Sequence, residues 1–337
     1  MQSQQISTLS ELEEELSRPS EADCNFIAGL QGDIVVLGAG GKIGPSLVGL
    51  LDRANRKTGA RKRIFAASRS GAALPADVES LRCDLLDQKD VSTLPKVENV
   101  LYLAGRKFGS SERPDLTWAS NCIIPVWVAR HFRESRIVVY STGNVYPFRE
   151  ISTGGSLETD TLQPIGEYAQ SCVARERLFE FHSNEYGTRC LLFRLNYAVD
   201  LRYGVLVDVA ERVFNGQPVD LTVPVVNVIW QRDANSYALR SLALCSSPAR
   251  ALNVTGREMV SVRKAAEFFG KAFGRPCQFT GTENSTALLS DASACHELLG
   301  PPELPLDRMM HWIAHWIQSG GYRLNKPTHF ESHDGRF

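Results

Sequence analysis

Three glycines, Gly38, Gly41 and Gly44, punctuate the stretch GAGGKIG directly after the apolar run Ile34 to Leu37. At this spacing the backbone can turn sharply, and a pyrophosphate can approach with no Cβ atoms in its way. A helix that starts at the third glycine offers free N–H groups to the phosphates. Gly38, Gly40, Gly41, Lys42, Ile43 and Gly44 are therefore the first candidates for holding a dinucleotide. The end of the second strand should read the adenosine ribose, where an acid favours NAD and a base accommodates NADP. Ser68 and Arg69 stand there without an acid, which favours NADP over NAD. Asp84 and Leu85, in RCDLLD, are placed against the adenine, with Asp84 accepting from its amino group.

Two further groups of residues could do chemistry. Arg106 and Lys107 follow the run NVLYLAG at 99–105, so they fall at the C-terminal end of a strand, where open α/β sheets bind ligands. They could grip a carboxylate or phosphate of a substrate. Tyr168 opens the helical stretch YAQSC. A free phenol titrates near 10, so at neutral pH it is a proton donor by default. His311 and His315 share the i, i+4 spacing of zinc ligands. Met309, Trp312, Ile313 and Trp316 surround them, so a packed helix is the better reading and no metal is assigned.

The elements that must position these residues alternate along the chain. Strand-like runs at 34–37, 63–68, 99–105, 136–142 and 189–195 are separated by helix-like runs at 117–132 and 168–187. Pro125 should interrupt the first of these helices and Gly187 should stop the second. The pattern predicts an α/β fold, a Rossmann-like doubly wound parallel sheet. Residues 1–32 read as an N-terminal helical appendage, with a helix at 8–17 capped by Ser10 and Glu13 and stopped by Pro19. Residues 33–200 form the dinucleotide-binding domain and 201–320 a smaller mixed substrate lobe. Within that lobe, 204–215, 232–244, 261–274 and 305–320 read as helices, and 218–228 and 251–254 as short strands. Residues 321–337 are a tail without helical period.

Composition narrows the partners. With 22% charged residues and a net charge of −1, no global field draws the chain to nucleic acid or an anionic membrane. A small-molecule ligand is the better expectation. No apolar stretch approaches the length of a membrane span, and no N-terminal signal pattern is present. The eight cysteines are scattered singly without a CxxC pair, which suits reduced thiols in a cytoplasmic protein.

Together, GAGGKIG, CDLLD, LAG at 103–105, Asn121, STGNVYP at 141–147, Tyr168 and FRLN at 193–196 resemble the extended short-chain dehydrogenase/reductase superfamily, the NAD-dependent epimerases and dehydratases. The resemblance spans roughly Asp33 to Gly320. It implies that Leu103, Ala104 and Gly105 line the cofactor, and that Tyr168 is the general acid/base and also touches the cofactor. It places Thr142 as the hydroxyl that assists. Asn144, Arg194 and Asn196 fall on the substrate side, and a homodimer through the helices at 117–132 and 168–187 is a family-level expectation.

The family's lysine four residues after the tyrosine is Cys172 here. A lysine ammonium lowers the tyrosine pKa and bonds the nicotinamide ribose; a thiol does neither strongly. Three substitutes are available: the oxidised nicotinamide ring, the N-terminus of the tyrosine helix, and a basic side chain reaching in, Arg106 or Lys107 by topology. The expected function is an NAD(P)-dependent oxidoreductase, epimerase or dehydratase-like enzyme acting on a hydroxyl or keto group of a sugar or sugar acid. The alternative is a dinucleotide-binding protein that kept the pocket and lost the chemistry.

Overall fold

Seven runs of the chain extend side by side: β1 (Ile34–Leu37), β2 (Ile64–Ser68), β3 (Glu79–Arg82), β4 (Asn99–Tyr102), β5 (Arg136–Thr142), β6 (Arg189–Leu195) and β7 (Arg250–Val254). They form one parallel sheet in the order β7-β6-β5-β4-β1-β2-β3 in the computed structural model, which describes residues 5–71 and 75–335. Parallel strands covered on both faces need apolar side chains on both. Ile34 and Val36 enter one core with Leu47, Leu50 and Leu51, while Val35 and Leu37 enter the other with Val128 and Phe179. Each such aliphatic side chain contributes roughly 1.5–3 kcal/mol on burial.

Helices cover both faces. α3 (Gly44–Thr58) follows β1, with Pro45 in its first turn and Gly59 closing it in the left-handed region. α4 (Gln88–Thr93) follows β3. The predicted helix at 117–132 is three pieces: α5 (Pro114–Trp118), a π-turn at Ala119–Ile123, and α6 (Ile124–His131). Pro125 has no N–H for the carbonyl four residues back, and the widened turn lies there. α7 (Gly166–Tyr186) ends at Gly187, whose φ of 72° is left-handed.

The N-terminal segment differs in register from the expectation. α1 (Leu9–Leu16) is capped by Thr8 and Glu11, not by Ser10 and Glu13. The observed register buries Leu12 and Leu16. A second helix, α2 (Glu21–Gly29), starts right after Pro19 on a box made by Ser20 and Asp23. Both helices pack on α3, and Leu12 and Leu16 of α1 also enter the substrate-side core.

That second core is built by α8 (Val205–Phe214), α10 (Val262–Phe273) and α12 (Leu306–Gln318). The strand expected at 218–228 is only two short pieces, Val219–Asp220 and Val225–Val226, split around Pro224. The strand expected at 251–254 is β7, hydrogen-bonded to β6 in the main sheet. α9 (Gln231–Arg240) and α11 (Ser293–Leu299) likewise put Ala234, Tyr237 and Cys295 into the core that holds Ile34. Three parts of 201–320 thus belong to the sheet layer. The tail is anchored to the lobe: Phe330 is buried in its core, and Thr328 donates from N and Oγ1 to Asp208 Oδ2 at 2.8 and 2.5 Å.

Candidate functional site

A cavity of about 600 Å³ opens beyond the C-terminal ends of β1, β4 and β5, below α8 and the tail. The glycine turn forms one wall. Gly38 sits at φ +88°, and a Cβ on it would lie 2.9 Å from the Ala104 backbone nitrogen. A Cβ on Gly44 would meet the Ala39 carbonyl oxygen. Only glycine lets this loop lie against β4 and start α3 where it does. No side chain caps α3, so its N-terminal N–H groups remain for a ligand. The turn and the uncapped helix fit a dinucleotide pyrophosphate. A second cavity of about 590 Å³, bordered by Arg257, Asp291 and His296, shares none of these walls.

Most of the sequence-predicted residues meet at the first cavity. Gly38, Gly40, Gly41, Lys42, Ile43, Gly44, Leu103, Gly105, Arg106, Lys107, Thr142, Asn144 and Tyr168 all line it. Ser68, Arg69, Asp84, Leu85 and Ala104 do not. Ser68 lies beneath Gly40, 3.2 Å from where its Cβ would be, and Arg69 is exposed beside it. Asp84 accepts from Leu86 N within its own loop. Residues 72–74, next to Arg69, lie outside the described residues.

Two residues expected on the substrate side lie behind the cavity wall and not on it. Asn196 is buried and does not reach the cavity wall; its Nδ2 donates to Asn227 Oδ1 and its side chain packs under Gly143. Arg194 makes a buried bidentate pair with Glu176 at 3.0 and 2.7 Å and donates to the Tyr146 hydroxyl. Both brace the floor from below. The two histidines part company: His311 turns to Asp307, while His315 bonds Ser7. Among the described residues, no three His, Cys, Asp or Glu side chains converge in a metal-binding group.

Tyr168 occupies the third position of α7, whose first turn has no side-chain cap. Its hydroxyl hydrogen-bonds to Thr142 and to the buried thiol of Cys172. Burial raises the Tyr168 pKa far above its ordinary value, and Cys172 adds to that; Arg175 and Thr142 pull the other way. Thr142 also donates to Asn144 Oδ1 at 3.0 Å. Lys107 Nζ stands 5.8 Å from the Tyr168 ring centroid, and burial lowers its pKa to about 8. Lys42, also lowered to about 8 by burial, donates to the Ala198 carbonyl and lies 4.1 Å over the Tyr203 ring.

Sequence reasoning missed Arg175 and carried Asn121 only as part of the resemblance. Arg175, three residues beyond Cys172, points inward and lines the cavity. It donates to the Tyr140 carbonyl at 2.8 Å and to Asn121 Oδ1 at 2.6 Å. Its distance from Tyr168, two helical turns, was the available signal. Asn121, on the π-turn, joins Arg175 to Ser171 and to the backbone of Arg106. The tail adds Leu324, Lys326 and Thr328 to the wall.

A parallel sheet ordered this way, with a glycine turn after its first strand and a cavity at the strand ends, defines a dinucleotide-binding protein. Residues 34–199, just under half of the chain, match the NAD dependent epimerase/dehydratase family. The fold is shared with UDP-glucose 4-epimerase from Thermotoga maritima in complex with UDP-glucose (TM-score 0.69, 18% identity, 86% of this chain and 99% of that one). It is shared equally with the Thermus thermophilus UDP-glucose 4-epimerase in complex with NAD (0.68, 19%, 85% and 99%). The Bacillus cereus UDP-glucuronic acid 4-epimerase in complex with NAD is a third (0.70, 15%, 85% and 98%). No curated protein matches the chain by sequence.

Proposed function

We propose that this chain is an NAD(P)-dependent oxidoreductase, epimerase or dehydratase-like enzyme that acts on a hydroxyl or keto group of a sugar or sugar acid. One observation carries the reading: the hydroxyls of Tyr168 and Thr142 meet on the wall of the cavity that the glycine turn also lines. Gly38 to Gly44 and the α3 N-terminus hold the cofactor phosphates, with Leu103 to Gly105 beside them. Ser68 and Arg69 face the ribose and Asp84 with Leu85 the adenine, with NADP favoured over NAD by the lack of an acid. A bound nicotinamide supplies hydride exchange.

Tyr168 is neutral at physiological pH and donates its proton to the substrate oxygen, while Thr142 orients that oxygen. A neutral phenol suits carbonyl reduction best. The described cavity wall carries Lys42, Arg106, Lys107, Arg175 and Lys326 and no carboxylate, which supports an anionic substrate such as a sugar acid. Arg106, Lys107 and Asn144 are its contacts. Asn196 supports the floor from behind Gly143. The UDP-sugars named for the neighbours are natural members of a test panel.

The test is turnover of bound nicotinamide against sugar acids, keto sugars and UDP-sugars, with Tyr168→Phe as control. Turnover that Tyr168→Phe leaves intact would remove the assignment. No turnover with any panel member would favour the second reading, a binding protein, for which Cys172 speaks. A homodimer through α6 and α7 is supported by Ile123, Phe181 and Tyr186, exposed apolar residues on and beside those helices. No described helix is long and apolar enough to cross a membrane.

A further inference from the structure

We propose that Lys107, presented by the loop after β4, replaces the lysine missing from position 172 and serves as the proton partner of Tyr168. This rests on the reading of Tyr168 as the acid and goes beyond it by naming where its charge and its proton come from.

The loop is built to aim that side chain. Asn121 grips the residue before it at both backbone groups: Arg106 N donates to Asn121 Oδ1 at 2.9 Å, and Asn121 Nδ2 donates to the Arg106 carbonyl at 3.2 Å. The same amide is tied to the tyrosine's helix. Asn121 Nδ2 donates to Ser171 Oγ at 2.8 Å, and Arg175 Nη2 donates to Asn121 Oδ1 at 2.6 Å. Lys107 and Tyr168 therefore sit on one hydrogen-bonded unit, and the ammonium lies over the phenol ring. Gly105 makes the unit possible, because a Cβ there would run into the Arg175 guanidinium.

The groups around Lys107 are consistent with a titrating partner. Tyr168 and Cys172 face it from α7, Asp208 from α8 and Lys42 from the glycine turn, with Arg175 fixed behind Tyr168. Burial is the main influence on its pKa and brings it to about 8, close to working pH. When Tyr168 gives its proton to the substrate oxygen, the Lys107 ammonium returns one to the phenolate. The amine left behind takes a proton from solvent through the open cavity. Arg175 is a positioning residue in this arrangement, since its guanidinium stays charged at all working pH values.

The first experiment needs no substrate. Lysines of the intact protein are reductively methylated with ¹³C-formaldehyde, and the Lys107 resonance is assigned by its loss in Lys107→Arg. The expected result is a titration near 8 that shifts in Tyr168→Phe. A titration at the ordinary lysine value, about 10.4, unmoved by Tyr168→Phe, would overturn the proposal. The second uses whichever panel substrate turns over. Lys107→Met should lower turnover at least about tenfold and remove the limb near pH 8; adding Cys172→Lys should restore most of the rate. Wild-type turnover in Lys107→Met, with Tyr168→Phe inactive, would sink this inference and leave the functional reading standing. Normal turnover in Tyr168→Phe would sink the functional reading itself. Lys107→Arg keeps the charge and serves as the folding control by thermal melt.

Discussion

Arg175 donates to Asn121 across the face of Gly105, at 2.6 Å, and joins the helix of the tyrosine to the loop of the lysine. The contact needs a residue without a side chain at position 105.

Gly105→Ala should therefore break the unit. The new Cβ would lie 2.3 Å from Arg175 Nη2 and 2.9 Å from Asn121 Oδ1. Overpacking of this kind costs about 1–3 kcal/mol. Urea unfolding should show that loss, and turnover should fall with it as Lys107 leaves Tyr168.

The buried pair Arg194–Glu176 predicts an asymmetry. Both side chains are almost fully buried, and Glu176 also accepts from Ser141. Arg194→Met leaves a lone buried carboxylate and should cost about 3–5 kcal/mol. The double variant Arg194→Met with Glu176→Leu should be less destabilised than the single one. Chemical denaturation of the three proteins compares them.

The tail clasp should be pH-sensitive. Burial raises Asp208 to about 6 despite its bonds from Thr328. The unfolded carboxyl titrates near 3.9. Between about 4 and 6 the folded chain keeps a proton that the unfolded chain has lost, so stability contributed by this group is greatest below that window and falls as pH rises through it. Asp208→Asn should remove that dependence. Thermal midpoints of both proteins between pH 4.5 and 7.5 measure it.

Arg69→Ala should weaken NADP binding about tenfold, or 1.4 kcal/mol, with NAD nearly unchanged. Calorimetric titration with each dinucleotide gives the ratio. Equal losses for both would remove Arg69 from the ribose phosphate.

The sheet was legible because its strands are short uninterrupted apolar runs. β5 and β6 fall where RIVVYST and RCLLFRL were read. The site was legible where glycines and the tyrosine carry their own spacing. Thr8 and Ser10 both stand three residues before a glutamate, and local chemistry could not choose between them; burial of Leu12 and Leu16 does. β7 was misassigned because its partner, β6, lies over fifty residues away in the chain. Arg175 and Arg177 read alike in VARERL, and only the packed helix turns one inward and leaves the other exposed. Asn196 and Arg194 carry motif identities, yet their hydrogen bonds run to Asn227 and Glu176.

The return of β7, α9 and α11 to the sheet layer has a mechanical consequence. The backbone passes back and forth between the two cores, so no single linker joins them. A cut after residue 200 would not free a lobe, and opening the cavity as a clamshell would strain several connections at once. The loop at 105–109 is itself pinned to the tyrosine's helix through Asn121, and the tail to α8 through Thr328. The cleft behaves as a riveted box with a strap across its mouth, and its width is set by the chain path before any ligand arrives.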